Sequence, residues 1–377
     1  MAEGLSPQKI AAERRNVLAL NCGSSSLKFA VYACHAAGAE LVCDGMADEV
    51  GGDSARFWSR AAGGEKREEP GPIPDHRAAL LRTAEALERH GLPEPDAVGH
   101  RLVHGGPKLR EHRRLDPEIY KELQAAADFA PLHVPTALSV IDGVSKKMPG
   151  APQVVCLDTA FHRHIPDVAM TFALPQHVRD MGVERYGFHG ISLESIVAQL
   201  DPVPERLVVA HLGNGCSITA VRGGVSVDTS MGLTPTGGIM MGTRSGDLDP
   251  GIIVFLMRNG YSDAAKLEQM LDHECGLKGV SGESNDVRDL MRLAGQDGRA
   301  ALAVRMFCYQ SRKTIAAMAA ALGGIDMLVF TGGIGEHVDQ IREEICAGLR
   351  FLGDCQIRVL PAREDLQIAL TTARLTV

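Results

Sequence analysis

Two nine-residue stretches, GSSSLKFAV (Gly23 to Val31) and GNGCSITAV (Gly213 to Val221), stand at equivalent places in the two halves of the chain. Each follows an apolar run, VLALN in the first half and LVVAH in the second. Each turns on glycine and small polar residues and returns as an alternating apolar strand, the pattern of a hairpin. Identity between the two is slight; what repeats is the order of strand, turn and strand. At 377 residues the chain is also long for one hydrophobic core. The expectation is two mixed α/β halves with a cleft between them, the usual place for a ligand.

The remaining elements fit that outline. A helix is expected from about Arg77 to His90, followed by the strand AVGHRLVHGG. The segment from Asp53 to His76 is polar with several Gly and Pro, and reads as a surface excursion. PQVVCLDTAFH (Pro152 to His162) reads as a strand that passes between the halves, and IAAMAAAL (Ile315 to Leu322) as a buried helix. In DMLVFTGGIGEHVDQIREEICAGL a strand and a glycine turn lead into an amphipathic helix, with Ile341, Ile345 and Leu349 on one face.

Composition narrows the function. A formal charge of −8 argues against a nucleic-acid or anionic-membrane partner. The polar start, MAEGLSPQKIAAERRN, lacks the apolar stretch of a secretory signal, and no apolar run has the length of a membrane span. Nine cysteines without C-x-x-C spacing favour reduced thiols and a cytoplasmic setting.

Three glycine-rich segments carry the chemistry. NCGSSSLKF (Asn21 to Phe29) can gather backbone N–H groups and hydroxyls around an anion, or can be a solvated turn. It lacks the spacing of a P-loop. FTGGIGEH (Phe330 to His337) sets glycines between a strand and a helix, a phosphate site by type; Glu336 and the spacing oppose a dinucleotide turn. DTSMGLTPTGGIMMGTRSGDLDPG (Asp228 to Gly251) is a long irregular run whose Met231, Ile239, Met240 and Met241 call for burial, which fits a functional loop better than a mobile one. His104, His133, His189 and His211 each end an apolar run, where a satisfied structural histidine is the commoner case. Asp158 ends an apolar strand and suits either a metal or a cap.

Taken together, these segments resemble the acetate kinase family. The matching pieces are VLALNCGSSSLKF, GHRLVHGG, APLH, DTAFH, YGFHG, HLGNG, DTSMGLTP, MGTRSGDLDPG, SNDVRD, FTGGIGE and EDLQIA, in family order across nearly the whole chain. The resemblance implies an α/β chain with the duplicated ribonuclease H-like, actin-like ATPase fold and a central interdomain cleft. It places the domains at 1–158 plus 367–377 and at 159–366. The implied reaction is reversible phosphoryl transfer from ATP to acetate, giving acetyl phosphate and ADP, with Mg²⁺ or alternatively Mn²⁺. A cytoplasmic homodimer joined through the second domain is implied too.

Acetate is already ionised at neutral pH, with a pKa of roughly 4 to 5, so the reaction needs cations and donors rather than a base. The resemblance assigns those roles residue by residue. Arg101 and Arg244 flank the acetate and the transferring group, and His189 donates to the equatorial oxygens. Asp158, Glu364 and Asn21 hold or orient the metal ion. Ser24, Ser26, Lys28, His211, Asn214 and Gly215 line the phosphates, with His133 a further contributor. Asp286, Val287, Arg288, Gly333, Ile334 and His337 surround the nucleoside and its first phosphate. Val103, Leu132, Phe188 and Pro235 form the acetate pocket, in which an alanine at the place of Val103 would admit propionate more readily.

Four positions depart from the family pattern: Val134 and His337 stand where Asn is usual, Leu193 where His is common, and Val287 where Phe is. The stretch from Gly335 to Glu364 is also short. Val287 and His337 are among the residues that the resemblance sets around the nucleoside, so the departures concentrate where nucleotide preference is decided. Propionate kinase is the alternative within the class. A sugar or polyol kinase would need an Asp base and a polar pocket, and a non-enzymatic nucleotide switch would not need the full set of candidate residues.

Overall fold

The computed structural model describes residues 14–23, 25–131 and 133–377; the N-terminal segment through residue 13, Ser24 and Leu132 lie outside the described residues. The chain divides into two units. One runs to Ala160 and takes back Arg363–Val377, and the other is Phe161–Ala362.

The first unit is built on β1 (Arg15–Cys22), β2 (Ser26–His35), β3 (Gly38–Asp48), β4 (Arg56–Ala61), β5 (Arg67–Glu69), β6 (Ala97–Leu102), β7 (Arg113–Arg114) and β8 (Gln153–Leu157). Their order across the sheet is β5-β4-β3-β2-β1-β6-β8-β7. The hairpin expected around the Gly-Ser turn is β1–β2, antiparallel with Leu20 opposite Phe29 and Asn21 opposite Lys28. β6 and β8 then add in parallel, so that Asn21, Arg101 and Cys156 lie in one row across three strands. Helices His76–Arg89 and Val134–Lys147 cover one core, where Leu80, Leu87, Val140 and Val144 pack with Leu18, Leu20, Leu27 and Phe29. Helix Glu364–Leu375 packs on β1, β2 and β6.

The second unit repeats the plan. Strands β9 (Arg206–Leu212), β10 (Cys216–Arg222), β11 (Val225–Thr229), β12 (Met327–Thr331) and β13 (Gln356–Val359) lie in the order β11-β10-β9-β12-β13. β11, β10 and β9 are antiparallel in turn, and β12 and β13 add in parallel. The first unit shows the same sequence of relations in β3, β2, β1, β6 and β8. The duplication suggested by two short stretches is thus a duplication of whole topology, as in the actin-like ATPase fold.

Two expectations need correction. The polar segment from Asp53 to His76 is not a free excursion: β4 and β5 extend the first sheet, paired with β3 and with each other. The cause is Phe57, fully buried and stacked on Phe29 with ring centroids 5.9 Å apart. The segment after β12 is two short helices, Gly332–His337 and Asp339–Ala347, rather than one. Ile341, Ile345 and Leu349 are buried as the periodicity requires. Among the described residues no helix is long and apolar enough to cross a membrane.

Candidate active site

In the first unit the parallel register brings polar side chains together at the C-terminal ends of β1, β6 and β8. Arg101, at the penultimate position of β6, bonds Asp158 through Nε at 3.1 Å to both carboxylate oxygens and through Nη2 at 2.6 Å. Its Nη1 donates to Asn21 Oδ1 at 3.0 Å, and Asn21 Nδ2 donates in turn to Glu364 Oε2 at 2.9 Å. Asp158, Arg101, Asn21 and Glu364 therefore form one bonded row. Burial works against the charge on Arg101, but Asp158 and Glu364 hold the guanidinium protonated well above its ordinary value. Burial pushes Asp158 up while Arg101 pulls it down, and the fork of three bonds keeps the pair ionic.

Next to this row, burial and the charge of Glu364 push Asp365 up to about 6, against Lys28, a hydrogen bond from Asn21 and Arg101. Asp365 Oδ1 is sealed from solvent and finds no donor among the described residues. Lys28 alternates with buried Leu27 and Phe29 and is itself exposed, with its charge felt at Asp365. Gly23, in the turn before it, accepts from His76 Nε2 at 2.9 Å. Ser26 opens β2, and Val103 is buried just past β6.

Glu364, Asn21 and Asp365 supply oxygen donors only, the chemistry of a hard cation. Among the described residues no three His, Cys, Asp or Glu side chains form a metal-binding group. Such a set fits Mg²⁺ arriving with a nucleotide, since that ion uses one or two carboxylates and completes its shell with phosphate and water. Asp158 fits this role least, because Arg101 occupies both of its oxygens.

In the second unit the hairpin β9–β10 carries the loop Gly213–Gly215. His211 is the penultimate residue of β9 and His189 precedes helix Gly190–Val197; their rings stack with centroids 4.2 Å apart. His189 holds a left-handed backbone, φ 59°, a strained state for a residue with a side chain. His162 Nε2 donates to the Phe188 carbonyl at 3.0 Å, fixing the residue before the strained one. Gly215 is the meeting point. A Cβ there would lie 3.2 Å from His189 Nε2 and 3.5 Å from Arg244 Nη1, so any side chain would fill the space where the two donors converge.

Arg244 sits in the irregular loop between β11 and helix Pro250–Arg258. Its Nη1 reaches the Pro235 carbonyl at 3.4 Å and its Nε lies 4.0 Å from Asp272 Oδ1, which also accepts from Thr236. The loop is packed: Met231, Ile239, Met240 and Met241 are all buried, as their character required. Gly276 abuts this loop in a left-handed conformation, φ +63°, where a Cβ would lie 2.2 Å from the Met241 carbonyl and 2.7 Å from that of Arg244.

Further round, Asn214 Oδ1 accepts from Asn285 at 3.5 Å. Asp286 caps helix Val287–Leu293 and is bound by the exposed Arg288 side chain, with Nη2 at 2.6 Å. Val287 is fully buried in that helix, and Phe188 is buried as well. Gly333 and His337 are exposed and Ile334 partly so. The Gly332 N–H is already taken by Glu336 Oε1 at 3.0 Å, which leaves the outer glycine to any ligand. Sequence reading passed over His162, Ser192, Ser217, Asp272 and Asp365. The hairpin pairing Leu212 with Cys216 sets Ser217 opposite His211, a signal present in HLGNGCS; the others come from distant segments.

Known proteins resemble this chain over nearly its whole length. The profile of the acetokinase family matches residues 16–364. The acetate kinase of Stutzerimonas stutzeri (strain A1501) is 42% identical over 393 residues, covering 96% of this chain and 98% of that protein. That of Caldanaerobacter subterraneus subsp. tengcongensis is 38% identical over 396 residues, covering 95% and 98%. Among solved structures, the acetate kinase of Porphyromonas gingivalis superposes with a TM-score of 0.86 at 34% identity, covering 96% of this chain and 100% of the other. A propionate kinase from Francisella tularensis subsp. tularensis SCHU S4 does so with a TM-score of 0.90 at 33% identity, again covering 96% and 100%. With its family profile spanning residues 16–364 and relatives of this identity covering nearly the whole chain, the protein belongs to the acetokinase family.

Proposed function

We propose that this protein is an acetate kinase, moving the γ-phosphoryl group of ATP to acetate by direct in-line transfer and running the reverse reaction from acetyl phosphate. The observation that carries the reading is the state of Asp158. Both of its oxygens accept from Arg101, so it is not free to take a proton from a hydroxyl acceptor, as a sugar kinase would require. An acetate ion needs no such base. It needs its charge balanced as it approaches a polyanion, and Arg101 is a cation locked in place by its neighbours.

In this reading Arg101 and Arg244 balance the charge of acetate and of the planar phosphoryl group. His189 donates to an equatorial oxygen, and the Gly213–Gly215 loop, with its Asn214, and His211 beside it support the phosphates. Val103, Phe188 and Pro235 give the acetate methyl an apolar surround. Asp286, Arg288, Gly333, Ile334 and His337 serve the nucleoside, with buried Val287 shaping their helix. Glu364 and Asn21 hold Mg²⁺, which when bound neutralises phosphate charge, and Asp158 orients Arg101 beside them. Lys28 and Ser26 face the phosphates.

The protein acts in the cytoplasm, a setting supported by nine cysteines that are all free thiols. It works as a homodimer through helix Pro250–Arg258, none of whose residues is buried and whose Ile252, Val254, Phe255 and Met257 lie open. The test is ADP formation with acetate, propionate, butyrate and glycerol as acceptors. Acetate is expected to give the highest kcat/KM. Propionate, differing by one methylene worth about 1–3 kcal/mol, is a poorer substrate. Equal turnover of propionate would make it a propionate kinase, and activity with glycerol but not acetate would remove the reading.

A further inference from the structure

The two stacked histidines of the second unit share a feature that the reaction alone does not demand. His189 Nδ1 lies 3.0 Å from Ser217 Oγ, and His211 Nδ1 lies 2.9 Å from Ser192 Oγ. Both serines are fully buried, one on β10 and one on the helix that His189 opens. Among the described residues, each hydroxyl has the imidazole nitrogen as its sole hydrogen-bond partner.

That arrangement decides where the protons sit. If Nδ1 carried the proton, the serine oxygen would accept it and the serine's own O–H would be left in a dry interior with no acceptor. A buried donor without a partner costs about 1–3 kcal/mol. If the serine donates, its proton is satisfied and Nδ1 serves as the acceptor. The ring then carries its proton on Nε2.

We infer that Ser217 and Ser192 are positioning residues that hold His189 and His211 as Nε2–H tautomers, so that both rings present donors to the glycine loop. The geometry at the other end of each ring agrees. His189 Nε2 lies 3.2 Å from the Cβ position of Gly215, and His211 Nε2 lies 3.7 Å from that of Gly213. Both Nε2 atoms therefore border the same loop, and Arg244 Nη1 borders it at Gly215. With the opposite tautomer, His189 would turn a lone pair towards phosphoryl oxygens and repel them. The catalytic consequence rests on the kinase reading above; the tautomer itself does not.

The experiment therefore has two arms. In the first, two-bond ¹H–¹⁵N correlation spectra are recorded on histidine-labelled protein, with His189→Gln used to assign the His189 signals. The Nε2–H pattern is expected for His189 in the native protein, with loss of that preference in Ser217→Ala and its retention in Ser217→Thr, which keeps the hydroxyl. An Nδ1–H pattern in the native protein overturns the inference whether or not any variant folds. An unchanged pattern in Ser217→Ala overturns it as well.

In the second arm, steady-state kinetics with acetate and ATP should show kcat reduced about 10- to 100-fold in Ser217→Ala, near-native KM for acetate, and recovery in Ser217→Thr. In a His189→Ala background, Ser217→Ala should cost nothing more. A serine that only fills space would lower stability without this split, and full additivity in the double variant would refute the positioning role. Should the native protein fail to phosphorylate acetate, the functional reading falls while the spectra still judge the tautomer.

Discussion

The two arginines that serve the proposed transfer are held in different ways, and their removal should differ accordingly. Arg101 is the partner of a carboxylate only 1% exposed, so Arg101→Ala strands a buried charge. It should lower kcat by about 10²–10³ and also cost about 3–5 kcal/mol of stability. Arg244 lies 4.0 Å from Asp272 and bonds the Pro235 backbone carbonyl at 3.4 Å, both longer than the Arg101–Asp158 bonds. Arg244→Ala should lower kcat comparably with a smaller loss of stability, since Asp272 is less deeply buried than Asp158 and lies farther from its arginine. Steady-state kinetics and urea titration of both variants check this; equal stability losses would refute the distinction, and a change confined to KM would refute the catalytic role. At this scale the sequence was informative about which residues matter and silent about how they are held. The motif GHRLVHGG points to Arg101, but that Asp158 occupies its guanidinium follows only from the register of β6 against β8. Asp365 escaped notice because it comes from the far end of the chain, away from the segments it stands beside.

Between the site and the fold stand elements whose registry must not slip, and a buried histidine ties three of them. His100 on β6 is buried; its Nε2 bonds Gln153 Oε1 at 2.8 Å on β8, and Gln153 Nε2 bonds Ser145 on helix Val134–Lys147 at 2.9 Å. Burial depresses His100 from its ordinary 6.5 to about 4, against the opposing bond from Gln153. The unfolded chain thus takes up this proton before the folded one does. The stability this group contributes is complete above pH 6.5 and is lost as pH falls towards 4, by about 3 kcal/mol in all. His100→Gln keeps an amide for Gln153 and removes the titration, so it should flatten the fall in Tm between pH 7 and pH 4.5, read by thermal melts across that range. An unchanged slope would show that acid sensitivity lies elsewhere. Elements with strong local pattern were legible: the β1–β2 and β9–β10 hairpins, helix His76–Arg89 and the buried face of Ile341, Ile345 and Leu349. β4 was missed because its polar, Gly-rich surroundings outweighed Phe57, whose partner Phe29 lies far back in the chain.

For the whole molecule, the repeated strand plan explains why two short glycine hairpins carried so much of the fold: each opens a unit with the same topology. The second unit adds an exposed apolar helix, Pro250–Arg258, with no counterpart in local sequence logic. A helix of this kind within a globular unit calls for a partner surface. Light scattering should give about twice the chain mass of 40.3 kDa. Phe255→Glu should shift the protein to the monomer; a native monomer, or a variant that stays dimeric, would refute that interface. The central claim is that a carboxylate oxygen attacks the γ-phosphorus of ATP. It is tested most directly by ³¹P NMR of the native protein with ATP, Mg²⁺ and ¹⁸O-labelled acetate. An acyl phosphate resonance carrying the isotope shift of a bridging ¹⁸O is expected, with ADP formed in equal amount. AMP and pyrophosphate in place of ADP, or no acyl phosphate at all, would contradict it.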